Sequence, residues 1–149
     1  MSITYRLTLA GDIPLELVAE LAAPGAAETP TPAGNRLLRA NLNEECGYVV
    51  SLTSGSHGYY EAEDDGGVAW QWEPATYVDI GFHMRKDTLG EKGRPHMLRT
   101  VGRVLADRTE DAALVLNDNW LLLTRVDGVV RRHNEADWYD EAYDSFLPS

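Results

Sequence analysis

An alternating run at residues 77–84 constrains the fold of this chain more than any other stretch. Val78, Ile80 and Phe82 are large and apolar, and the residues between them are polar or small. A period of two places these two sets of side chains on opposite faces of a β-strand. We expect this strand to lie in the centre of a sheet.

The chain as a whole divides into two similar halves, and the strand at residues 77–84 opens the second. Each half has one alternating strand, one helical stripe of apolar residues and one hairpin of two strands. These elements are predicted at residues 3–9, 13–23 and 38–53 in the first half, and at residues 77–84, 95–107 and 113–124 in the second. The repeated strand-helix-strand-strand order favours an α+β fold, a mostly antiparallel sheet with two helices packed on one face.

A further hairpin, at residues 59–74, separates the halves. Its predicted turn is the Asp-Asp-Gly-Gly sequence at 64–67, because glycine accepts the positive φ angles that hairpin turns require. Trp70 and Trp72 are expected on one side of the strand that follows this turn. Pro74 ends that strand, because proline cannot continue a central strand.

At 149 residues the chain is predicted to form a single α+β domain over residues 1–149. Residues 24–34 are rich in proline and glycine and are predicted to be a connecting loop, not a domain boundary. The tail at residues 134–149 is acidic and aromatic. It is expected at the periphery of the domain, either as a docked helix or as an ordered coil.

Charge limits the classes of partner. The chain has 13 Lys and Arg against 24 Asp and Glu, a formal net charge of -11. Nucleic acids and anionic membranes are bound through clustered cations, so neither is expected as a partner. A basic protein is a better match.

Three further features favour a cytoplasmic protein. Cys46 is the single cysteine, so no internal disulfide can form. The first residues alternate polar and apolar side chains and lack the basic and continuous apolar regions of a signal peptide. No apolar run approaches the ~20 residues that a membrane helix needs.

Local spacing indicates no catalytic residue, metal site or cofactor. None of the four histidines belongs to an H-x-x-x-H, C-x-x-C or H-E-x-x-H arrangement. Asp79 and His83 share one face of the central strand, where a solvated polar pair is a simpler interpretation than a catalytic dyad. Acidic residues at a turn, as at 61–65, are usually solvated as well.

The remaining candidate is a binding surface on the central hairpin, where acidic residues surround two tryptophans. Buried aromatic side chains often dominate interface energetics, and a negative field accelerates association with a basic partner. The predicted partner-binding residues are Glu61, Glu63, Asp64, Asp65, Trp70, Trp72 and Glu73. The alternative is that both tryptophans belong to the core and the acids only keep the sheet edge soluble.

The hairpin contains EDDGG and WQWEP, and the central strand reads YVDIGFHMRKD. A helix with MLRTVGRVL follows, and then DAALVLNDNWLLLTRVDG. This combination resembles the Sit-type family, the swarming-inhibition toxin immunity proteins of bacteria, from ITYRLTLAG near the start to VDGVV. The resemblance implies a cytoplasmic protein that binds one cognate toxin and blocks it without catalysis. An acidic protein suits a basic toxin.

Three hypotheses follow. The first is an immunity protein that neutralises a cognate toxin through its central acidic and aromatic turn, either alone or together with the acidic tail at residues 134–149. The second is a small hydrolase or nucleotide-processing enzyme that uses carboxylates and His83 at a sheet edge. It requires Asp79, His83 and another acid within hydrogen-bonding reach. The third is a structural subunit that forms a homo-oligomer through an exposed strand edge.

Overall fold

The computed structural model describes residues 2–32 and 35–147. Within these ranges the chain forms one sheet of ten strands and three helices. The strands are β1 (Ser2–Ala10), β2 (Ala27–Glu28), β3 (Leu37–Leu42), β4 (Tyr48–Ser56), β5 (Tyr60–Glu63), β6 (Ala69–Trp72), β7 (Thr76–Arg85), β8 (Ala112–Leu116), β9 (Trp120–Val126) and β10 (Val129–Arg132). The helices are α1 (Leu15–Ala22), α2 (Arg94–Asp107) and α3 (Glu135–Trp138).

The strands follow the order β2-β3-β4-β7-β1-β8-β9-β5-β6, and β10 pairs with β9. The described pairs are antiparallel, apart from a single parallel bridge between Glu63 of β5 and Trp120 of β9. β7 pairs along its length with β1 on one side and with β4 on the other. The predicted central strand and the predicted α+β class are confirmed.

The two halves of the chain are interleaved in the sheet. β1, from the first half, pairs with β8 of the second half, and β7, from the second half, pairs with β4 of the first. Each half therefore supplies the opening strand for the hairpin of the other. This exchange joins the repeated sequence pattern into one continuous sheet.

The main core lies between one face of this sheet and the helices. Leu7, Ile80 and Val50 point from the central strands toward Val18 of α1 and Val101 of α2, and all five are fully buried. Complete burial of such side chains stabilises the fold by about 1.5–3 kcal/mol each. The predicted placement of both helices on one face is confirmed. None of the described helices is long and apolar enough to cross a membrane.

A smaller core lies on the opposite face of the sheet. There the β5–β6 hairpin packs over β8 and β9, and its buried members are Ala62, Ala113, Val115 and Leu121. Trp70 and Trp72 cover this cluster and are half-buried. The hairpin is thus part of the folded body.

The loop at residues 24–34 and the C-terminal tail contain structure that the spacing of apolar residues does not predict. The predicted loop at residues 24–34 contains β2, a two-residue strand that pairs with β3, and its last two residues lie outside the described ranges. In the tail, the buried residues Trp138 and Tyr143 join the main core. The indole N–H of Trp138 donates to the hydroxyl of Tyr5, at 3.2 Å.

Candidate functional site

The acidic hairpin, which we define as residues 59–73, is the candidate functional site. It has five acidic residues and no lysine or arginine, and the nearest cations in sequence are Arg39 and Arg85. Its turn is a short 3-10 helix, Asp65–Gly67, in which the two glycines have φ angles of 70° and 79°. Residues other than glycine, asparagine and aspartate adopt such angles only with strain, so the Gly-Gly pair suits this tight turn.

The two faces of the hairpin differ in character. The cross-strand pairs Ala62–Trp70 and Tyr60–Trp72 point toward the sheet, and Ala62 and the two tryptophans belong to the smaller core. The pairs Glu61–Gln71 and Glu63–Ala69 point to solvent, and all four of these residues are exposed. The amide of Gln71 donates to the carboxylate of Glu61 across the strands, at 3.1 Å. One face is therefore aromatic and the other acidic.

The tip of the hairpin is bonded to the segment that follows β10. Nδ1 of His133 lies 2.7 Å from the carboxylate of Asp64, and Nε2 lies 2.8 Å from the hydroxyl of Thr124. His133 is only 4% exposed, so both ring nitrogens need partners from the protein. Asp64 and Thr124 provide them.

Asn134 adds a second attachment at the tip. Its backbone N–H donates to the Asp65 carboxylate at 2.9 Å, and its side-chain amide donates to the carbonyls of Glu63 and Leu121 at 3.0 and 2.8 Å. Asn134 has a left-handed backbone conformation, which asparagine tolerates better than most residues. The acids of the turn are not simply solvated, in contrast to the sequence-based interpretation.

The charge state of Asp64 reflects this network. Burial opposes its ionisation, but the hydrogen bonds from the Asp65 backbone and from His133 outweigh that effect and lower the pKa of Asp64. The ionised carboxylate is therefore the form that the folded hairpin favours.

The open end of the hairpin, opposite the tip, is also attached to the sheet. The hydroxyl of Tyr60 donates to both carboxylate oxygens of Asp79 at 3.0 Å, and the hydroxyl of Thr8 donates to the same group. Burial nevertheless raises the pKa of Asp79, with only partial compensation from these hydroxyls. Both ends of the hairpin are thus fastened to the sheet.

The aromatic residues form a continuous row along the inner face. The ring centroids of Trp70 and Trp72 are 6.1 Å apart, and those of Trp72 and Tyr60 are 5.8 Å apart. Tyr60 also contacts the edge of Tyr77 at 5.8 Å. The partial exposure of both tryptophans leaves ring surface available beside the acids.

The side chains of Asp79 and His83 are not hydrogen-bonded to one another. The ring of His83 bonds to Ser51 at 3.0 Å and to Thr4 at 3.2 Å, whereas Asp79 bonds to Tyr60 and Thr8. Burial lowers the pKa of His83, and two nearby arginines lower it further. The hydrolase hypothesis lacks the shared acid and histidine that it requires. Sequence reasoning did not identify Ser51 as a partner of His83, because their proximity depends on the register between β4 and β7.

A shallow cavity of about 170 Å³ lies beside the hairpin on the helix-free face of the sheet. Its walls include Arg6, Tyr59, Glu61 and Asp118. Arg6 and Asp118 form an ion pair across it, with a separation of 2.9 Å. The cavity therefore has charges of both signs, and the positive charge of Arg6 is already paired with Asp118.

One group of residues has the donor types of a metal site. Ligand atoms of Asp64, Asp65 and His133 all lie within 4.8 Å of one another. Each already bonds to a protein group, as described above for the hairpin tip. We therefore assign these side chains to anchoring the hairpin.

All seven residues predicted to bind a partner lie on the acidic hairpin, but they do not share one face of it. Trp70 and Trp72 pack against the smaller core, Glu61 and Glu63 point to solvent, and Asp64 and Asp65 bond to the segment after β10. The residues that hold it in place, His133, Asn134, Thr124 and Asp79, were not predicted. Comparison with known proteins adds one finding: a family model described as SitI3-like matches residues 3–142. No curated protein and no solved structure matches the chain.

Proposed function

Because the chain belongs to the SitI3-like family, we propose that it is an immunity protein that binds one cognate bacterial toxin and neutralises it. Its action requires binding alone and no catalytic step. The single cysteine, which allows no internal disulfide, is compatible with action in the reducing cytoplasm.

The acidic hairpin is the proposed toxin-binding surface. The observation that supports it best is the combination of acidic charge with a rigid support: five acidic residues, four of them exposed, and no lysine or arginine, on a hairpin bonded to the rest of the fold at both ends. A fixed negative surface attracts a basic partner over long range and loses little conformational entropy when it binds.

The seven predicted residues have different roles in this proposal. Glu61, Glu63 and Glu73 are exposed and would pair with cations of the toxin. Trp70 and Trp72 would supply apolar contact area at the edge of these pairs. The carboxylates of Asp64 and Asp65 already bond within the chain, so they would act mainly through their charge and by holding the turn.

The proposal predicts a toxin gene beside this one, and co-expression with the product of that gene tests it. The wild-type chain should protect cells, whereas the triple variant Glu61→Lys, Glu63→Lys, Glu73→Lys should not. Reversing three charges at the interface should lower the association rate about 10- to 1000-fold, and the effect should weaken at high salt.

The matched control reverses three exposed acids elsewhere, Glu20, Glu45 and Glu91. This variant has the same net charge as the hairpin triple variant, so it separates local contact from overall charge. The proposed surface is wrong if both triple variants protect equally well. The immunity function itself is wrong if the wild-type chain neither binds the toxin nor protects.

A further inference from the structure

β6 is a terminal strand of the sheet and has one unpaired edge. Within residues 2–32 and 35–147 it pairs only with β5. Ala69 and Gln71, the two β6 residues that point away from the smaller core, are exposed. An exposed strand edge presents backbone donors and acceptors that a further strand can use.

The hydrogen-bond pattern shows which backbone groups are free. The N–H of Asp64 donates to the carbonyl of Val68 on the β6 side, whereas the N–H of Glu63 donates to Asn119 on the β9 side. Backbone groups alternate in direction along a strand, so Ala62 pairs with Trp70 through hydrogen bonds toward β6. The N–H and C=O groups of Ala69 and Gln71 therefore point outward.

This edge strand is short, but it lacks the other features that protect sheet edges. Many proteins place lysines, bulges or inward charges on such strands to prevent pairing. The segment from Val68 to Glu73, VAWQWE, has no lysine, and proline occurs only after it, at Pro74. The side chains of β6 that point to solvent are the small Ala69 and the uncharged Gln71, which leave the backbone accessible.

The edge is also held in a fixed position. The anchors of Asp64 to His133 at the tip and of Tyr60 to Asp79 at the open end restrain both ends of the hairpin. The tryptophans of β6 pack over the smaller core. A preorganised edge pays little additional entropy on binding, which favours strand addition.

We infer that the toxin adds a β-strand to the free edge of β6 and bonds to the backbone of Ala69 and Gln71. This inference rests on the proposed immunity function and specifies its binding mode. The neighbouring acids Glu61, Glu63 and Glu73 favour a toxin strand that has lysine or arginine at alternate positions. A second copy of this chain is a poorer occupant, because it would bring two acidic hairpins together.

Two variants at Gln71 separate backbone pairing from side-chain contact. Gln71→Pro removes the outward N–H and places a ring at the edge, which an edge strand tolerates. Gln71→Val removes the amide side chain but keeps the backbone N–H. Titration with the purified toxin should show an affinity loss of about 10- to 100-fold for the proline variant and little change for the valine variant.

Folding of both variants is checked by circular dichroism and urea unfolding, and hydrogen exchange gives an independent measurement on the wild type. The amides of Ala69 and Gln71 should become protected when toxin is added. If the toxin binds but these amides stay unprotected, the strand-addition inference is wrong while the immunity function stands.

Three other results have defined meanings. If the proline and valine variants lose affinity equally, the contact is with the side chain and the inference is wrong. If light scattering shows a dimer that Gln71→Pro converts to a monomer, the edge binds a second copy and not the toxin. If the wild-type chain does not bind toxin at all, both this inference and the immunity function fail.

Discussion

His133 and Asp64 are joined by a 2.7 Å hydrogen bond that connects the end of β10 to the tip of a hairpin 69 residues earlier. The second nitrogen of the same ring bonds to Thr124 of β9. One buried imidazole therefore holds the hairpin against the strand beneath it. The exposed acids of the candidate surface depend on this bond for their position.

Replacement of Asp64 by alanine should lower the free energy of unfolding. The substitution leaves a buried ring nitrogen of His133 without its partner, which typically costs about 1–3 kcal/mol. Urea unfolding measures the change. Glu61→Ala is the matched control, because Glu61 is exposed on the same hairpin and its loss should change stability by less than about 0.5 kcal/mol. Equal effects of the two substitutions would contradict the anchoring role.

The stabilising effect of Asp64 should also depend on pH. Its pKa is lowered in the folded state, so its contribution is present above the unfolded pKa of about 3.9 and is lost as the pH falls through the folded value. Asp64→Asn does not titrate at this position. The stability difference between wild type and this variant should therefore shrink below about pH 4. A difference that stays constant to pH 2 would contradict the prediction.

Asp79 should show the opposite dependence on pH. Burial raises its pKa in the folded state, so its contribution is fully present below the unfolded pKa of about 3.9 and is lost as the pH rises through the folded value. Relative to wild type, Asp79→Asn should therefore be more stable at pH 7 than at pH 3.5. Parallel urea titrations at the two pH values measure the difference. Equal stability differences at the two pH values would contradict the prediction.

The elements that sequence predicted correctly are those with a local physical cause. The alternation around Ile80 reflects burial on one face of one strand, and the apolar stripe that contains Val101 reflects one face of one helix. The hairpin turn at Gly66 has the same local character, because its φ angle of 70° selects the residue type directly. These features need no knowledge of the rest of the chain.

The anchors of the candidate site depend instead on long-range register. Asp64 meets His133 only because β5 lies beside β9 and β10 turns back along β9. Trp138 meets Tyr5 across 133 residues for a similar reason. No period or spacing around either residue identifies its partner. The sequence therefore predicted the hairpin and its turn, but not the hydrogen bonds that attach the hairpin to the rest of the fold.

Arg125 should be more important for stability than its charge suggests. It is 6% exposed, and its guanidinium donates to the carbonyls of Leu105 at 2.6 Å and Glu110 at 2.8 Å, near the end of α2. These carbonyls lose their partner in Arg125→Met, and hydrogen bonds to charged groups contribute about 1.5–3 kcal/mol each. Thermal and urea unfolding should show that the free energy of unfolding falls by at least about 1.5 kcal/mol.

Arg125→Lys provides the comparison. Lysine keeps the positive charge but not the planar fork that reaches two carbonyls. The free energy of unfolding of the lysine variant should lie between that of wild type and that of the methionine variant. If the lysine variant is as stable as wild type, charge and not the two directed hydrogen bonds explains the role of Arg125.

Gly102 provides a test of how the C-terminal tail docks on α2. A Cβ atom at this position would overlap the backbone carbonyl oxygen of Phe146, far inside van der Waals contact. Glycine to alanine in a helix normally stabilises by about 1 kcal/mol. Here we expect Gly102→Ala to destabilise the protein, because the tail must move away. Limited proteolysis should then cleave the tail faster than in wild type.

Ala106→Gly is the control for helix propensity, since Ala106 is exposed on the same helix. It should cost about 1 kcal/mol without affecting cleavage of the tail. The two substitutions would then both destabilise, although they change propensity in opposite directions, because only Gly102 lies against another segment of backbone. If Gly102→Ala stabilises the protein by about the amount that Ala106→Gly destabilises it, the tail does not pack on α2 as the structure indicates.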